Sequence, residues 1–131
     1  MGSNADTIRK LYEAFGTGDV ATVLGAMDDK IDWQEPESLP FENQVGPQAV
    51  AENIFGAVMS MLDGFAVVPN EIADGGDVVC GIGVYKGTGK ETGVELNADF
   101  VHVWHFGSDG KITGFRTYTD THLWRQALGV S

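Results

Sequence analysis

Hydrophobic residues in the first half of the chain recur at helical spacing. The run Ile8–Phe15 ends at Gly16-Thr17-Gly18 and predicts a first helix that stops there. Asp19 is placed to cap a second helix, and Gly46-Pro47 is suited to begin a third, because proline fits the first helical turn. The apolar positions are Val20, Val23, Leu24 and Met27 in the second helix, and Val50, Ile54, Val58 and Met61 in the third.

The second half of the chain is organised as strands. An earlier short strand, Ile31–Glu35, alternates apolar and polar residues and is limited by Pro36. Turns rich in glycine and aspartate separate the later strands. After the last strand, His122–Leu128 could form a final helical turn. The later predicted strands are Phe65–Glu71, Val78–Lys86, Gly93–Phe106 and Lys111–Thr121.

This order of elements predicts the fold class. Three N-terminal helices followed by four long antiparallel strands indicate an α+β protein, arranged as a single domain over residues 1–131. A strongly bent antiparallel sheet can wrap around the three helices as a cone. We therefore expect an internal cavity between sheet and helices, and we expect the function to lie there.

Charge and composition narrow the classes of partner. The chain has 8 basic and 19 acidic residues and a net charge of -11, which disfavours nucleic acids and anionic membranes. Its apolar runs are too short for a membrane span, and the N-terminal residues lack the apolar core of a signal peptide. Cys80 is the only cysteine, so no disulfide forms within the chain. A cytoplasmic location is the resulting expectation.

Metal and dinucleotide cofactors are not expected from the motifs. His102 and His105 lie three positions apart on a predicted strand and so point to opposite faces, where they cannot chelate one ion together. The stretch Gly81–Val84 lacks the following helix that a dinucleotide fingerprint requires. We therefore expect a function that needs no metal and no organic cofactor.

Two polar residues lie on predicted apolar strand faces. Glu35 shares its face with Ile31 and Trp33, and a carboxyl group in such a place is exposed to water, paired, or raised in pKa. With a raised pKa, Glu35 would suit proton transfer near neutrality; the alternative is a glutamate at the strand end that points to water. His102 shares a face with Phe100 and Trp104, where it is either a hydrogen-bonded core residue or a functional group.

The sequence pattern of the last strand does not determine which of its two faces points into the cavity. One face carries Phe115, Thr117 and Thr119, and the opposite face carries Arg116, Tyr118 and Asp120. Either set could face the cavity, and the Arg116–Asp120 pair could equally be a surface or interface salt bridge.

The order of these motifs resembles a known family. It comprises a helix, Gly-Asp, a helix, Trp-x-Glu-Pro, a helix and strands that end in His-x-Trp-x-Phe and Asp-Gly-Lys-Ile-x-x-Phe-Arg-x-Tyr-x-Asp. This order is similar to the SnoaL-like and ketosteroid-isomerase-like branch of the nuclear-transport-factor-2-like (NTF2-like) superfamily. The likeness extends over essentially the whole chain and is most specific over Val101–Asp120. It implies a cone of one bent sheet and three helices, often a homodimer through the outer sheet face.

The resemblance to ketosteroid isomerases implies roles for particular positions. Their aspartate base falls on Glu35, which precedes Pro36 here. Their neutral aspartic acid, which binds the oxyanion and is a known case of pKa tuning, falls on His102. Their oxyanion tyrosine falls on or near Leu11, one residue from Tyr12.

The segment from Gly110 to Arg116 is similar to limonene-epoxide hydrolases, but the catalytic residues of those enzymes are not present at the corresponding positions of this chain. Their water-activating tyrosine and asparagine fall on Trp33 and Glu35, and their second catalytic aspartate falls on Thr117. The two resemblances agree on the inward face of the last strand. They imply a cavity lining of Met27, Trp33, Glu35, Ile82, Val84, His102, Phe115, Thr117 and Thr119.

These observations lead to three hypotheses for function. The first is a cofactor-independent isomerase or polyketide-cyclase type of enzyme acting on a small apolar carbonyl compound, with Glu35 as base and His102 as hydrogen-bond donor to the enolate oxygen. The second is a non-catalytic module that binds a hydrophobic ligand, and the third is a structural dimerising domain whose cavity is filled. An epoxide-hydrolase-like enzyme is a further alternative.

Overall fold

A six-stranded mixed sheet forms the larger layer of the protein. The structure is a computed structural model and describes residues 3–130. The strand order is β2-β1-β6-β5-β4-β3. The strands are β1 (Met27–Gln34), β2 (Gln44–Val45), β3 (Leu62–Asp74), β4 (Val78–Gly89), β5 (Glu95–Phe106) and β6 (Ile112–Thr119).

The pairing of β1 differs from the expected purely antiparallel sheet. Strands β3 to β6 pair antiparallel, as predicted, but β1 pairs parallel with β6 and antiparallel with the short β2. A parallel pair needs a long crossover connection, and here the chain forms helices and four strands before β6 returns beside β1. Local alternation within β1 carries no information about that return.

Helices cover one side of the sheet. The first, α1 (Asn4–Gly16), begins with a capping box in which the Ser3 hydroxyl accepts from the Asp6 backbone N–H and the Asp6 side chain accepts from the Ser3 N–H. None of the helices within residues 3–130 has the length and apolar character to span a membrane. The others are α2 (Val20–Gly25), the consecutive α3 (Pro47–Val50), π-helix (Ala51–Phe55) and α4 (Gly56–Met61), and α5 (Thr121–Leu128).

Two helix predictions need correction. The second helix was expected to extend through Met27, but it ends at Gly25, because Met27 is the first residue of β1 and pairs with Ile112. The C-terminal segment is more than one turn: α5 has 8 residues, is capped by Asp120 and ends at Gly129 in the left-handed conformation that glycine favours.

The core lies between the helices and the inner face of the sheet. Alternate residues of β5 from Leu96 to Phe106 are buried, as expected for a strand with one face on the core. The buried apolar residues form one cluster that extends from Ala5 in α1 to Ala127 in α5. The apolar core therefore joins the inner face of the sheet to the helices.

Gly83 permits the closest approach between strands β3 and β4. A Cβ at this position would overlap the Val68 carbonyl oxygen and would lie within 2.9 Å of the Phe100 ring. The β3–β4 register also shifts between Pro69 and Glu71, opposite this region. A bulge of this kind bends a sheet locally. Gly83 therefore lies in the bent part of the sheet that forms the concave face.

Replacing Gly83 should destabilise the fold. We expect Gly83→Ala to lower the free energy of unfolding by about 1–3 kcal/mol, because the added methyl group overpacks against backbone. Gly16→Ala is the matched control, since a Cβ there meets nothing within 4 Å at the end of α1. Urea unfolding of the two variants measures the difference. Equal stability of Gly83→Ala and the wild type would contradict this account of the sheet's curvature.

Candidate functional site

A cavity of about 70 Å³ lies between the concave face of the sheet and the helices. A cavity of about 150 Å³ holds a benzene molecule, so this space is smaller than one aromatic ring. The polar residues of its lining are Tyr12, Glu35, Tyr85, His102, Thr117 and Thr119, and its aromatic residues include Phe15, Trp33, Phe41, Phe55, Phe65, Trp104, Phe115 and Trp124.

The loop 35–43 between β1 and β2 covers one side of the cavity. Leu39 and Phe41 of this loop are buried and contribute to the lining. The Phe41 ring contacts Trp124 of α5 edge to face, with centroids 6.0 Å apart. Arg125 of α5 donates a hydrogen bond to the Ser38 carbonyl. The loop and the C-terminal helix therefore close the cavity together.

Glu35 is the only carboxyl group among the described residues that line the cavity. It follows β1 directly, so strand alternation directs it to the same side as Trp33. The Trp33 indole Nε1–H donates to Glu35 Oε2 at 2.7 Å, and the Glu35 backbone N–H donates to Asn43 Oδ1 at 2.8 Å. These two bonds fix the carboxyl group at the junction of strand and loop.

The surroundings of Glu35 change its acidity. Burial raises the pKa of its carboxyl group from 4.5 to about 7, and the hydrogen bond from Trp33 acts in the opposite direction. Stacking of Trp33 on Phe115, with ring centroids 3.7 Å apart, holds the indole in place. Glu35 is therefore present in both protonation states near neutral pH, as a proton-transfer group requires.

His102 lies at the centre of a buried hydrogen-bonded group. It is 4% exposed, and both ring nitrogens have partners: Nδ1 lies 2.8 Å from the Tyr12 hydroxyl and Nε2 lies 2.5 Å from the Tyr85 hydroxyl. The Tyr12 hydroxyl also accepts from Trp104 Nε1 at 3.1 Å, and the Tyr85 hydroxyl lies 2.9 Å from Thr117 Oγ1. Four elements of the fold meet here.

This arrangement corrects the role expected for His102. The residue lines the cavity, but neither ring nitrogen is free to donate to a ligand, because each is bound to a tyrosine. Burial also lowers the pKa of its imidazole to about 3, so the ring is neutral. His102 is a hydrogen-bonded core residue that reaches the cavity through Tyr85 and Thr117.

Of the other expected lining residues, Trp33, Phe115, Thr117 and Thr119 do line the cavity. Ile82 and Val84 do not: β4 buries Val79, Gly81, Gly83 and Tyr85, so Ile82 and Val84 lie on the outer face of the sheet. Met27 is buried in the core but is not part of the lining.

Tyr85 is a polar residue of the cavity lining that the sequence patterns did not indicate. It lies on the face opposite Ile82 and Val84, and its hydroxyl joins His102 to Thr117. Gly81 was the available signal, because it lies on the face of Tyr85 and its missing side chain leaves room for the Tyr12 hydroxyl. A glycine at this spacing marks the side of a strand that another element approaches closely.

Metal ligation is not a feature of the described residues. Within residues 3–130, no group of three or more histidine, cysteine, aspartate or glutamate side chains is placed to hold a metal ion. His105, on the opposite face of β5 from His102, is exposed.

The bent mixed sheet, the helices on its concave side and the enclosed cavity define the NTF2-like cone fold. An NTF2-like protein from Burkholderia thailandensis has a TM-score of 0.92 at 29% identity over 97% of this chain and 98% of its own. TerC, co-crystallised with polyporic acid, has a TM-score of 0.86 at 26% identity over 96% of this chain and 98% of its own. A protein with a ketosteroid isomerase-like fold from Catenulispora acidiphila, in complex with trimethylamine, has a TM-score of 0.80 at 12% identity, covering 96% and 94%.

Sequence comparison gives the family. The profile of the SnoaL-like domain matches residues 8–115, and the chain belongs to this family. No curated protein matches the sequence. The match at 12% identity shows the shared fold alone.

The pKa of Glu35 makes the stability of the protein depend on pH. The folded carboxyl group holds its proton up to about pH 7, whereas the unfolded one loses it near 4.5, so folded stability falls as the pH rises between these values. At about 1.4 kcal/mol for each pH unit, the loss is at most about 3.5 kcal/mol. Urea unfolding near pH 4 and near pH 8 should show that Glu35→Gln is less sensitive to this change than the wild type.

Glu37→Gln is the control for this measurement. Glu37 is exposed in the same loop, and its replacement removes the same charge without touching the cavity. An identical pH response in the wild type and in Glu35→Gln would mean that the Glu35 carboxyl group titrates as a solvated side chain.

Proposed function

We propose that this protein binds a small, mostly apolar carbonyl compound in its cavity and transfers a proton on it, with Glu35 as the base. The observation that carries the proposal is a single carboxyl group, with a pKa of about 7, in a cavity whose described lining is mostly aromatic and aliphatic. Perturbed carboxyl groups in apolar clefts are typical of proton-transfer sites. No metal or organic cofactor takes part in the proposed reaction.

The chemistry uses the two protonation states of Glu35. The carboxylate removes a proton from the carbon next to the carbonyl group, and the electrons of that C–H bond form an enolate. The resulting carboxylic acid returns the proton to another carbon, which gives an isomer and restores the carboxylate. Hydrogen-bond donors near the enolate oxygen lower the barrier, because the negative charge develops there.

The aromatic walls favour a flat, apolar ligand. Trp33, Trp104 and Phe115 pack against one another beside Glu35, and such rings exclude water from the reacting atoms. Because the cavity is smaller than one aromatic ring, a ring-sized ligand requires lining side chains to move, such as Leu39 and Phe41 of the loop 35–43. The polyporic acid co-crystallised with TerC, a relative of 26% identity, supports a small organic ligand.

Proton exchange on a ketone tests the role of Glu35. Cyclopentanone in heavy water is the probe, and NMR follows the replacement of its α-hydrogens by deuterium. We expect the wild type to accelerate exchange and Glu35→Gln to lose about 10²- to 10⁴-fold of that acceleration, as for removal of a general base. Saturation-transfer NMR should show that Glu35→Gln still binds the ketone.

Glu37→Gln is again the control and should exchange as fast as the wild type. Unchanged exchange in Glu35→Gln would refute the catalytic role. A wild type that binds cyclopentanone without accelerating exchange would instead favour the non-catalytic binding module. The epoxide-hydrolase alternative has less support, since those enzymes use two carboxylates and Glu35 alone lines the described part of this cavity.

We also propose that the protein forms a homodimer through the outer face of its sheet. Val101 and Tyr118 are cross-strand neighbours on that face, and they are 37% and 52% exposed. The Arg116 guanidinium lies 5.0 Å from the centre of the Tyr118 ring and extends the same surface. Burial of such a patch against its own copy would remove apolar area from water.

Sedimentation velocity tests the dimer. The wild type should sediment as a dimer, and Tyr118→Glu should shift it to the monomer, because the new charges face each other across the interface. Val20→Glu, at an exposed residue of α2 on the helical side of the sheet, should leave the dimer intact. A monomeric wild type at micromolar concentration would refute the interface.

A further inference from the structure

The direction of the hydrogen bonds around His102 follows from the donors available. Trp104 Nε1 can only donate, and it donates to the Tyr12 hydroxyl. The hydrogen of Tyr12 therefore needs another acceptor, and His102 Nδ1 is the only other partner of that hydroxyl among residues 3–130. Nδ1 thus accepts.

The remaining bonds are then determined in turn. A neutral imidazole carries one hydrogen, so in His102 it resides on Nε2 and is donated to the Tyr85 hydroxyl. The hydrogen of Tyr85 is in turn donated to Thr117 Oγ1. The reverse direction would leave the Tyr12 hydroxyl hydrogen buried without an acceptor, which native structures avoid.

Thr117 is left with a hydrogen that has no acceptor in the described part of the chain. Its hydroxyl accepts from Tyr85, and no second partner is present within residues 3–130. Thr117 is 4% exposed and lines the cavity. Thr119, two positions along β6, differs: it donates to the Asp99 carbonyl at 2.7 Å and accepts from Trp124 Nε1 at 3.3 Å.

We propose that Trp104, Tyr12, His102, Tyr85 and Thr117 form a one-way hydrogen-bond chain that presents the Thr117 hydroxyl hydrogen to an acceptor atom of the ligand. That the acceptor is a carbonyl oxygen rests on the proposed function; the direction of the chain does not. Thr117 binds the ligand, and His102 is a positioning residue that acts through Tyr85. An apolar molecule without an acceptor leaves this hydrogen unpaired and binds more weakly.

The electrostatics of the group agree with this direction. Burial raises the pKa of Tyr12 and of Tyr85 and lowers the pKa of His102, so all three stay neutral around neutral pH. Glu35 also acts on Tyr85, since its negative charge further raises the pKa of that hydroxyl. The chain therefore keeps one direction while Glu35 gains and loses its proton.

The tautomer of His102 tests the direction without any ligand. Long-range ¹⁵N–¹H correlation spectra distinguish a protonated from an unprotonated ring nitrogen. We expect the His102 signals to show hydrogen on Nε2 and none on Nδ1, while the exposed His105 provides a reference in the same spectrum. Hydrogen on Nδ1, or on both nitrogens, would overturn the proposal.

The carbonyl stretch of bound ¹³C-labelled cyclopentanone tests the Thr117 subsite. A hydrogen bond lowers this frequency, so the wild type and Thr117→Ser should show a lower value than Thr117→Val. The double variant Tyr85→Phe/Thr117→Val also removes the Tyr85 hydroxyl, which could replace the lost donor, and should abolish the lowering. Affinity should fall about 2- to 12-fold, as for one lost hydrogen bond. Thr113→Val, an exposed position on β6, is the matched control.

The outcomes separate this inference from the proposed function. Equal frequencies in the wild type and the double variant, or no bound ketone in the wild type, would overturn the subsite. A lowered frequency that depends on Thr117, together with exchange that does not depend on Glu35, would refute the catalytic role and leave the subsite standing. A carbonyl frequency that does not depend on Thr117 or Tyr85, together with exchange that does depend on Glu35, would refute the subsite and leave the catalytic role standing.

Discussion

The structure depends on the pairing of His102 with two buried tyrosines. An imidazole and several hydroxyl groups are costly to bury unless every polar atom has a partner, and here the partners come from different parts of the chain. Tyr12 lies on α1, Tyr85 on β4, His102 on β5 and Thr117 on β6. These bonds fix the position of the first helix relative to three strands, and Gly81 leaves the space that Tyr12 needs. Packing alone would hold this helix with less specificity.

The same pairing determines what remains for a ligand. Because His102 and both tyrosines are bound to one another and stay neutral, they add no charge to the cavity. Glu35 is the exception: within residues 3–130 its carboxyl group has the Trp33 indole as its one hydrogen-bond partner, and its pKa is about 7. In the proposed function the two kinds of group have two tasks: Thr117 presents a neutral hydrogen-bond donor, and Glu35 exchanges a proton.

The sequence predicted β5 well and β4 poorly, for a physical reason. Large apolar residues alternate with polar ones along β5. The inward position of His102 follows from this alternation alone, because side chains two positions apart on a strand share a face. Strand β4 has apolar residues on one face and glycines on the other, and the glycine face is the buried one because α1 and β3 approach it closely. The cavity positions that the resemblances implied for Ile82 and Val84 were therefore wrong, and Tyr85 was missed. The parallel pairing of β1 with β6 depends on contacts distant in sequence, which local alternation does not encode.

Glu35 and His102 show that a family resemblance can place a residue at the cavity without fixing its hydrogen-bond partners. Both residues lie where the ketosteroid-isomerase comparison put them, and both line the cavity. A buried aspartic acid at the position of His102 could donate its single hydrogen directly, whereas an imidazole has two nitrogens to satisfy. Tyr12 and Tyr85 satisfy them, and in the proposed hydrogen-bond chain the donor that faces the cavity is therefore the Thr117 hydroxyl.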